Sequence, residues 1–480
     1  MERWVVSMNL RVSLAIYGGS LCAVLSLLGL YRRPEGVSLE GFFVNSVAGR
    51  FCIGAAVGIV LALIVIARTL LATSHNRSKE VWLSLVMSLL SVVLLVVTLE
   101  VFLRLVAVNT RSGPAVGNKL LLPRRWSEFL PYWQTIAART VERNTFLVSD
   151  ETLGWTVNPN RRSENGLYLS GAEGLRSAKQ GAVLREGLGD CRIALVGDSF
   201  TFGDDVRYEE TWAHHLDQSL PSGCRVMNFG VTGYGIDQMY LRYVKDVVEW
   251  RPDVVILGFI DHDLVRSMSL YGFLLFQMSD MPFSKPRFVV EGERPAVINY
   301  PLISMQEILA KKSIRDLPFI MLEQAYRPKQ WDRPGWEIVS RSFLFRFLTT
   351  LYPLWDEERT EVSHAAIASV NRALLRSFVE AVRKNGAQPF LAYLPSDADF
   401  PAPRHDLTSG LQLLEEIDVE YQNLVPCLSE IPTDDRFLPL DKGGHYTPTA
   451  NAALAKCLQP TVREMLHVRP SRVGSVPHID

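Results

Sequence analysis

Arg192-Ile-Ala-Leu-Val-Gly-Asp-Ser-Phe-Thr-Phe-Gly203 is the stretch that decides the fold. Ile193 to Val196 form an apolar run of strand length, and the run stops on Gly197-Asp198-Ser199, a turn followed by a helix-like segment. A serine on a tight, glycine-bearing turn at the carboxyl end of a buried strand is where an open α/β sheet presents a nucleophile.

The pattern repeats outward from this stretch. A helical segment from Glu209 to Leu220 leads to a strand from Val226 to Gly230, then a helix from Ile236 to Trp250 and a strand from Val254 to Gly258 introduced by Arg251-Pro-Asp. Later come a helix from Ala365 to Lys384 closed by Gly386, a strand from Pro389 to Leu394 and a last helix from Thr449 to Leu466. Alternation at this spacing predicts an α/β fold, a parallel sheet flanked by helices. Residues 266–361 are too long for an ordinary connection and read as an insertion. It holds an expected hairpin from Arg287 to Tyr300 and the aromatics Trp331, Trp336, Phe343, Phe345, Phe347, Tyr352 and Trp355. Their helical spacing suits core packing; a lid or acceptor-binding surface is the other use.

With 480 residues the chain exceeds a typical single domain, and its 48% hydrophobic content is concentrated at the N-terminus. Three uncharged runs, Val12 to Tyr31, Phe51 to Ala67 and Val81 to Leu99, predict three transmembrane helices at about 12–31, 51–70 and 81–105. A cleaved signal peptide would explain the first run alone. Lys and Arg are divided evenly between the two sides, so charge does not set the topology. Glu100 and Arg104 stand at i,i+4 spacing at the end of the third run. The expected organisation is a membrane region over 1–110, a linker and amphipathic segment over 111–149, the α/β domain over 150–467 and a tail over 468–480.

A net charge of −1 gives no nucleic-acid footprint. Cys22 and Cys52 lie in apolar runs as packing residues. Cys191 and Cys224 each precede an apolar strand; if those strands are adjacent and parallel, their starts come within disulfide reach. Cys427 with Cys457 is the second possible pair, and free buried thiols are the alternative to both. No His, Cys and Asp cluster has metal-ligand spacing and no glycine-rich phosphate loop occurs, so no metal and no cofactor are expected. His214, His215 and His364 read as surface or packing residues.

Gly-Asp-Ser recurs in turns by chance, but three later blocks give Ser199 company: Asn228-Phe-Gly-Val-Thr-Gly233, Leu257-Gly-Phe-Ile-Asp-His262-Asp263 and Asp441-Lys-Gly-Gly-His445. Each lies at the carboxyl end of a strand or in the loop beyond. Together the blocks resemble the SGNH, or GDSL, hydrolase family over roughly Asp150 to His467. Leu153-Gly-Trp155 and Gly171-Ala-Glu-Gly174-Leu-Arg176 look like the lead-in of its membrane-anchored bacterial members.

The resemblance implies a flavodoxin-like hydrolase domain with Ser199 as nucleophile, His445 as base and Asp441 as the acid that orients it. It also implies an oxyanion hole made by the backbone N–H groups of Ser199 and Gly233 with a third donor at position 262. Such chemistry needs these groups, because a serine hydroxyl attacks an ester only when a base takes its proton and donors already point at the developing oxyanion. Two departures from the family pattern stand out. His262 occupies the usual place of an asparagine donor, and Asp441 precedes His445 by four residues with Gly443-Gly444 between. A Ser-His dyad held by a backbone carbonyl, or an acid from Asp434 or Asp435, is the alternative to Asp441.

The implied activity is a membrane-anchored serine esterase that removes acyl groups, acetyl above all, from a carbohydrate or lipid. An O-acyltransferase acting on an envelope or extracellular polysaccharide needs the same groups. A catalytically weak scaffold or glycan-binding component is the non-enzymatic alternative. The implied location of the hydrolase domain is the periplasmic or extracellular side of the membrane.

Overall fold

The structure is a computed structural model that describes residues 78–110, 145–275, 283–323 except 293, 337–351, 364–400, 409–439 and 443–467, with scattered residues between 113 and 138. The predicted membrane helices at 12–31 and 51–70 and the tail 468–480 lie outside the described residues. The chain forms two compact units, one of residues 1–129 and 329–357, the other of residues 130–328 and 358–480.

In the first unit, the third predicted span falls on α1 (Ser78–Val106), a helix of 29 residues. Its side chains are described from Leu90 onward, and Leu94, Val97, Phe102 and Leu105 among them are exposed. Among the described residues no helix is long and apolar enough to cross a membrane. A small antiparallel sheet follows, β1 (Val108–Thr110), β2 (Gly113–Val116) and β3 (Lys119–Leu120). Glu100 and Arg104 do pair, at 2.7 Å. The Glu100 carboxylate also accepts from Ser342 Oγ and from the backbone N–H groups of Phe343 and Leu344, so it caps the helix Phe343–Leu351. Phe347 of that helix is buried against Leu103, Val116 and Leu121. The insertion expected over 266–361 is therefore divided between the two units. Its apolar helix face finds a core in the N-terminal unit, while residues 266–328 stay with the α/β domain.

The second unit is built on five parallel strands, β6 (Cys191–Gly197), β7 (Cys224–Asn228), β8 (Val254–Phe259), β11 (Gln388–Tyr393) and β12 (Tyr421–Asn423), in the order β12-β11-β8-β6-β7. This is the doubly wound order with the first strand beside the second and third, the arrangement that opens a crevice at the carboxyl edge. Strand alternation sorts the core into two layers. Ala194, Val196, Val255 and Leu257 pack against α4 (Ile236–Arg242) and α6 (His364–Lys384). Ile193, Leu195, Val254 and Ile256 pack against α3 (Trp212–Ser219) and α8 (Pro448–His467). The central strand β8 is buried along its whole length, as a strand covered on both faces must be.

Two hairpins precede and interrupt the sheet. β4 (Leu147–Asp150) pairs with β5 (Gly154–Val157), and β9 (Phe288–Glu291) pairs with β10 (Arg294–Val297) as the sequence predicts. β12 has three residues on the sheet edge, too short to show a period of its own. Cys191 and Cys224 are register partners at the starts of β6 and β7 and form a disulfide. A second disulfide joins Cys427 to Cys457 of α8.

Candidate active site

Ser199 opens a single helical turn, α2 (Ser199–Phe202), immediately after β6. Asp198 caps it by accepting from the Phe200 N–H, and Gly203 closes it in the left-handed region at φ 82°. Gly197 is required before the turn: a Cβ there would stand 2.1 Å from Thr201 Oγ1 and 2.6 Å from the Gly258 carbonyl on the neighbouring strand. The Ser199 hydroxyl is almost buried and donates to Asp198 Oδ2 at 3.4 Å. Asp198 is itself held by Arg266, whose guanidinium bridges it at 2.9 Å to Asp263 at 2.6 Å.

The second block lies alongside this turn. Phe229 N and Val231 N donate to the carbonyls of Leu195 and Gly197, extending the β6–β7 register past the sheet. Asn228 donates to the Thr201 carbonyl at 2.7 Å and accepts from Gly230 N, so its side chain ties the block to α2. Gly233 sits at φ 81° in the turn that follows, and among the described residues its N–H makes no hydrogen bond. The lead-in segment supports the turn from the other side. Trp155, fully buried, donates to the Thr232 carbonyl at 3.0 Å, and Tyr234 Oη donates to the Trp155 carbonyl at 2.6 Å.

His445 is brought to the same place by the loop before α8. Its ring lies against Phe200, the residue after Ser199, with centroids 4.9 Å apart. The group on its Nδ1 is Asp205, whose Oδ2 is 2.5 Å away. Asp441, the acid expected from the family pattern, lies outside the described residues. Asp434 and Asp435 lie in a short helical turn, exposed, and neither is the carboxylate on Nδ1.

Asp205 is held in place by its surroundings. It has φ 66°, a left-handed conformation that costs a non-glycine residue about 1 kcal/mol or more. Its N–H donates to Tyr168 Oη at 2.9 Å. Arg176 lies 4.4 Å over the Tyr168 ring and 4.7 Å over that of Phe202, and it donates to the Val206 carbonyl. The lead-in residues thus position both the Gly233 turn and the Asp205 turn.

The glycine pair before His445 has a role that spacing alone did not show. A Cβ on Gly443 would stand 1.7 Å from Asp205 Oδ2, so Gly443 leaves the space through which Asp205 reaches the imidazole. Its φ of 108° is strained for any other residue. Gly443→Ala is accordingly expected to displace Asp205 from His445 and lower kcat by about 100-fold or more, with the fold retained by circular dichroism. Wild-type turnover in this variant would mean that the Asp205 contact is dispensable.

Charge around the imidazole is negative. Burial by itself would lower the His445 pKa, but the hydrogen bond that Nδ1–H donates to Asp205 and the carboxylates of Asp204, Asp205 and Asp198 outweigh it and raise the pKa above the usual 6.5. Asp204 is pushed up to about 6 by burial, against the pull of the His445 charge and of its hydrogen bond from Thr232 at 2.9 Å. A protonated imidazole is the charge state this arrangement favours.

His262 is placed differently from the other predicted residues. It is exposed on α5 (Asp261–Arg266), where Asp263 and Arg266, three residues apart, form the face that touches Asp198. His262 and Val265 form the neighbouring face and line a cavity that Ser199, Gly233 and His445 do not line. Among the described residues no group of three or more His, Cys, Asp or Glu side chains is arranged to hold a metal ion.

No family model matches the chain, and no curated protein matches it in sequence. Solved structures do. A protein described as lipolytic, of the G-D-S-L family, from Desulfitobacterium hafniense is 12% identical with a TM-score of 0.28, over 57% of this chain and 99% of that one. A catalytic mutant of an acetylxylan esterase from Geobacillus stearothermophilus is 15% identical with a TM-score of 0.30, over 58% and 94%. An aryl esterase from M. smegmatis is 15% identical with a TM-score of 0.28, over 57% and 99%.

Proposed function

We propose that the protein is a serine ester hydrolase in which Ser199 attacks the carbonyl, His445 Nε2 takes its proton, and Asp205 holds the imidazole through Nδ1. One observation carries this reading: a carboxylate 2.5 Å from Nδ1 leaves Nε2 as the free base, on a ring packed against the residue that follows the strand-end serine. The Gly233 N–H, unpaired among the described residues, and the Ser199 N–H at the start of α2 supply the oxyanion donors. The alcohol leaves with the proton carried by His445, and water then enters by the same base to release the acid. The acyl group is small and the alcohol belongs to a carbohydrate or lipid. Incubation of purified protein with acetylated polysaccharide, without added acceptor, should release acetate. Transfer to an added acceptor that outpaces this release would make the protein an acyltransferase instead, and the absence of both reactions would leave a binding component.

We further propose that the N-terminal region anchors the protein in a membrane, with the α/β unit on the oxidising, non-cytoplasmic side. Apolar side chains exposed on several sides of α1 support the anchor, and the two disulfides suit an oxidising compartment. An alkaline phosphatase fusion at Asp480 should then be active and a fluorescent-protein fusion dark. The opposite pattern would place the unit in the cytoplasm.

A further inference from the structure

Two groups beside the serine have no part in the mechanism so far, Asp204 and Trp155. They lie in the turns around Ser199, away from the cavity where α5, α6 and α7 (Ser409–Glu415) meet, which Ser199, Gly233 and His445 do not line. Asp204 follows the glycine that closes α2, and its N–H donates to the Ser199 carbonyl at 3.0 Å. Its carboxylate is buried, with the charges of His445 and Arg176 offsetting its own. Among the described residues the hydrogen bonding of that carboxylate goes to one group, Thr232 Oγ1, which lies 2.9 and 3.1 Å from its two oxygens. Burying a carboxylate is costly, and this one ties the nucleophile turn to the residue before Gly233.

Thr232 is held at a second point. Its carbonyl accepts from Trp155 Nε1 at 3.0 Å. That carbonyl and the Gly233 N–H belong to one peptide unit, which is planar and trans, so they point in opposite directions. Trp155 is fully buried in the core and stacks on Phe283 with centroids 6.2 Å apart. Its indole draws the carbonyl toward that core and leaves the N–H facing the other way. Tyr234 Oη donates back to the Trp155 carbonyl at 2.6 Å, so the residues on both sides of Gly233 are locked to β5. The Ser199 and Gly233 N–H groups stand on two separate loops, and they act together on an oxyanion only if both already point at it.

We propose that Asp204 and Trp155 are positioning residues for the oxyanion hole, clamping Thr232 by its side chain and by its carbonyl so that the Gly233 N–H is presented beside Ser199. The assignment rests on the ester-hydrolase reading and adds to it two residues outside the triad. It also gives the Leu153-Gly-Trp155 lead-in a part in the reaction.

The test compares Thr232→Val, which keeps the shape of the side chain and removes its hydroxyl, with Thr232→Ser, which keeps the hydroxyl and removes a methyl group. In Thr232→Val, kcat for an aryl acetate is expected to fall about 10- to 100-fold with KM little changed, because a loosened donor weakens the transition state more than the bound ester. Thr232→Ser should restore most of the turnover. A side chain needed only for packing gives the opposite order, and that order, or equal rates in the two variants, would overturn the clamp. In Asp204→Ala protein the change Thr232→Val should cost little further, since both remove the same bond; a full second loss would take Asp204 out of the clamp. Trp155→Phe keeps an aromatic ring, removes the indole N–H and should cost a similar factor, whereas wild-type kcat would take Trp155 out. Amide hydrogen exchange over residues 229–234 does not depend on catalysis and should be faster in Thr232→Val than in wild type. If wild type cleaves no ester but this exchange rises, the hydrolase reading fails and the hold on the turn stands. If esters are cleaved but Thr232→Val alters neither kcat nor exchange, the clamp fails alone.

Discussion

Ser199→Ala is expected to lower kcat by about 10⁶-fold, the loss seen when the nucleophile of an acting triad is removed. The variant should retain its fold, since the one hydrogen bond of the hydroxyl among the described residues is a long one, 3.4 Å to Asp198. A fluorophosphonate probe should label wild-type protein at Ser199 and leave the variant unlabelled. His445→Ala should cost about as much alone, and the double variant little more than either, because nucleophile and base act as a unit. Turnover and labelling by the Ser199→Ala protein at the wild-type level would remove this serine from the reaction.

The second large effect belongs to Asp205. Asp205→Asn keeps the shape of the contact to His445 Nδ1 but removes the charge, and kcat is expected to fall by about 10⁴-fold. Asp441→Asn should cost less than about tenfold, since the Nδ1 position is already filled. The reverse ranking would restore Asp441 as the orienting acid. The pH profile gives an independent reading. His445 must be neutral to act as base, and its pKa is held above 6.5, so wild-type kcat/KM should be low in acid and rise with pH through a value above 6.5. In Asp205→Asn the contact to Nδ1 loses its charge, and with it one of the carboxylates that raise that pKa, while Asp204 and Asp198 remain. The remaining activity should therefore rise at a lower pH than in wild type. An acid limb that does not move would mean that Asp205 does not govern the titration of the base.

Both predictions rest on a site that was partly legible before the structure. Ser199, Gly233 and His445 follow from short contiguous blocks, the first two just beyond apolar runs of strand length and the third just before the last helix. Gly233 carries its signal in its own chemistry: the turn needs φ 81°. The cysteine pairs were legible as possibilities, and Cys191 with Cys224 became a bridge because β6 and β7 are neighbours in register. Asp205 was hidden although it lies only six positions after Ser199. A sequence shows an acid two residues past a glycine and does not show that a left-handed backbone turns it toward a histidine 240 residues away. Gly443 offered the one available signal, a glycine where something must pass close by, but the residue that passes is distant in the chain.

What the sequence determined by itself is the local grammar: apolar runs of strand length that alternate with amphipathic helices, a serine on a strand-ending turn, and a histidine before the last helix. Periodicity and turn chemistry act between residues a few positions apart, so they can be read in one dimension. The tertiary structure alone decided which carboxylate meets the imidazole, which face of α5 carries His262, and how the aromatic insertion is divided between two cores. Those outcomes depend on distances between segments hundreds of residues apart. Packing and hydrogen-bond geometry settle them only once the sheet order has brought the loops to one edge.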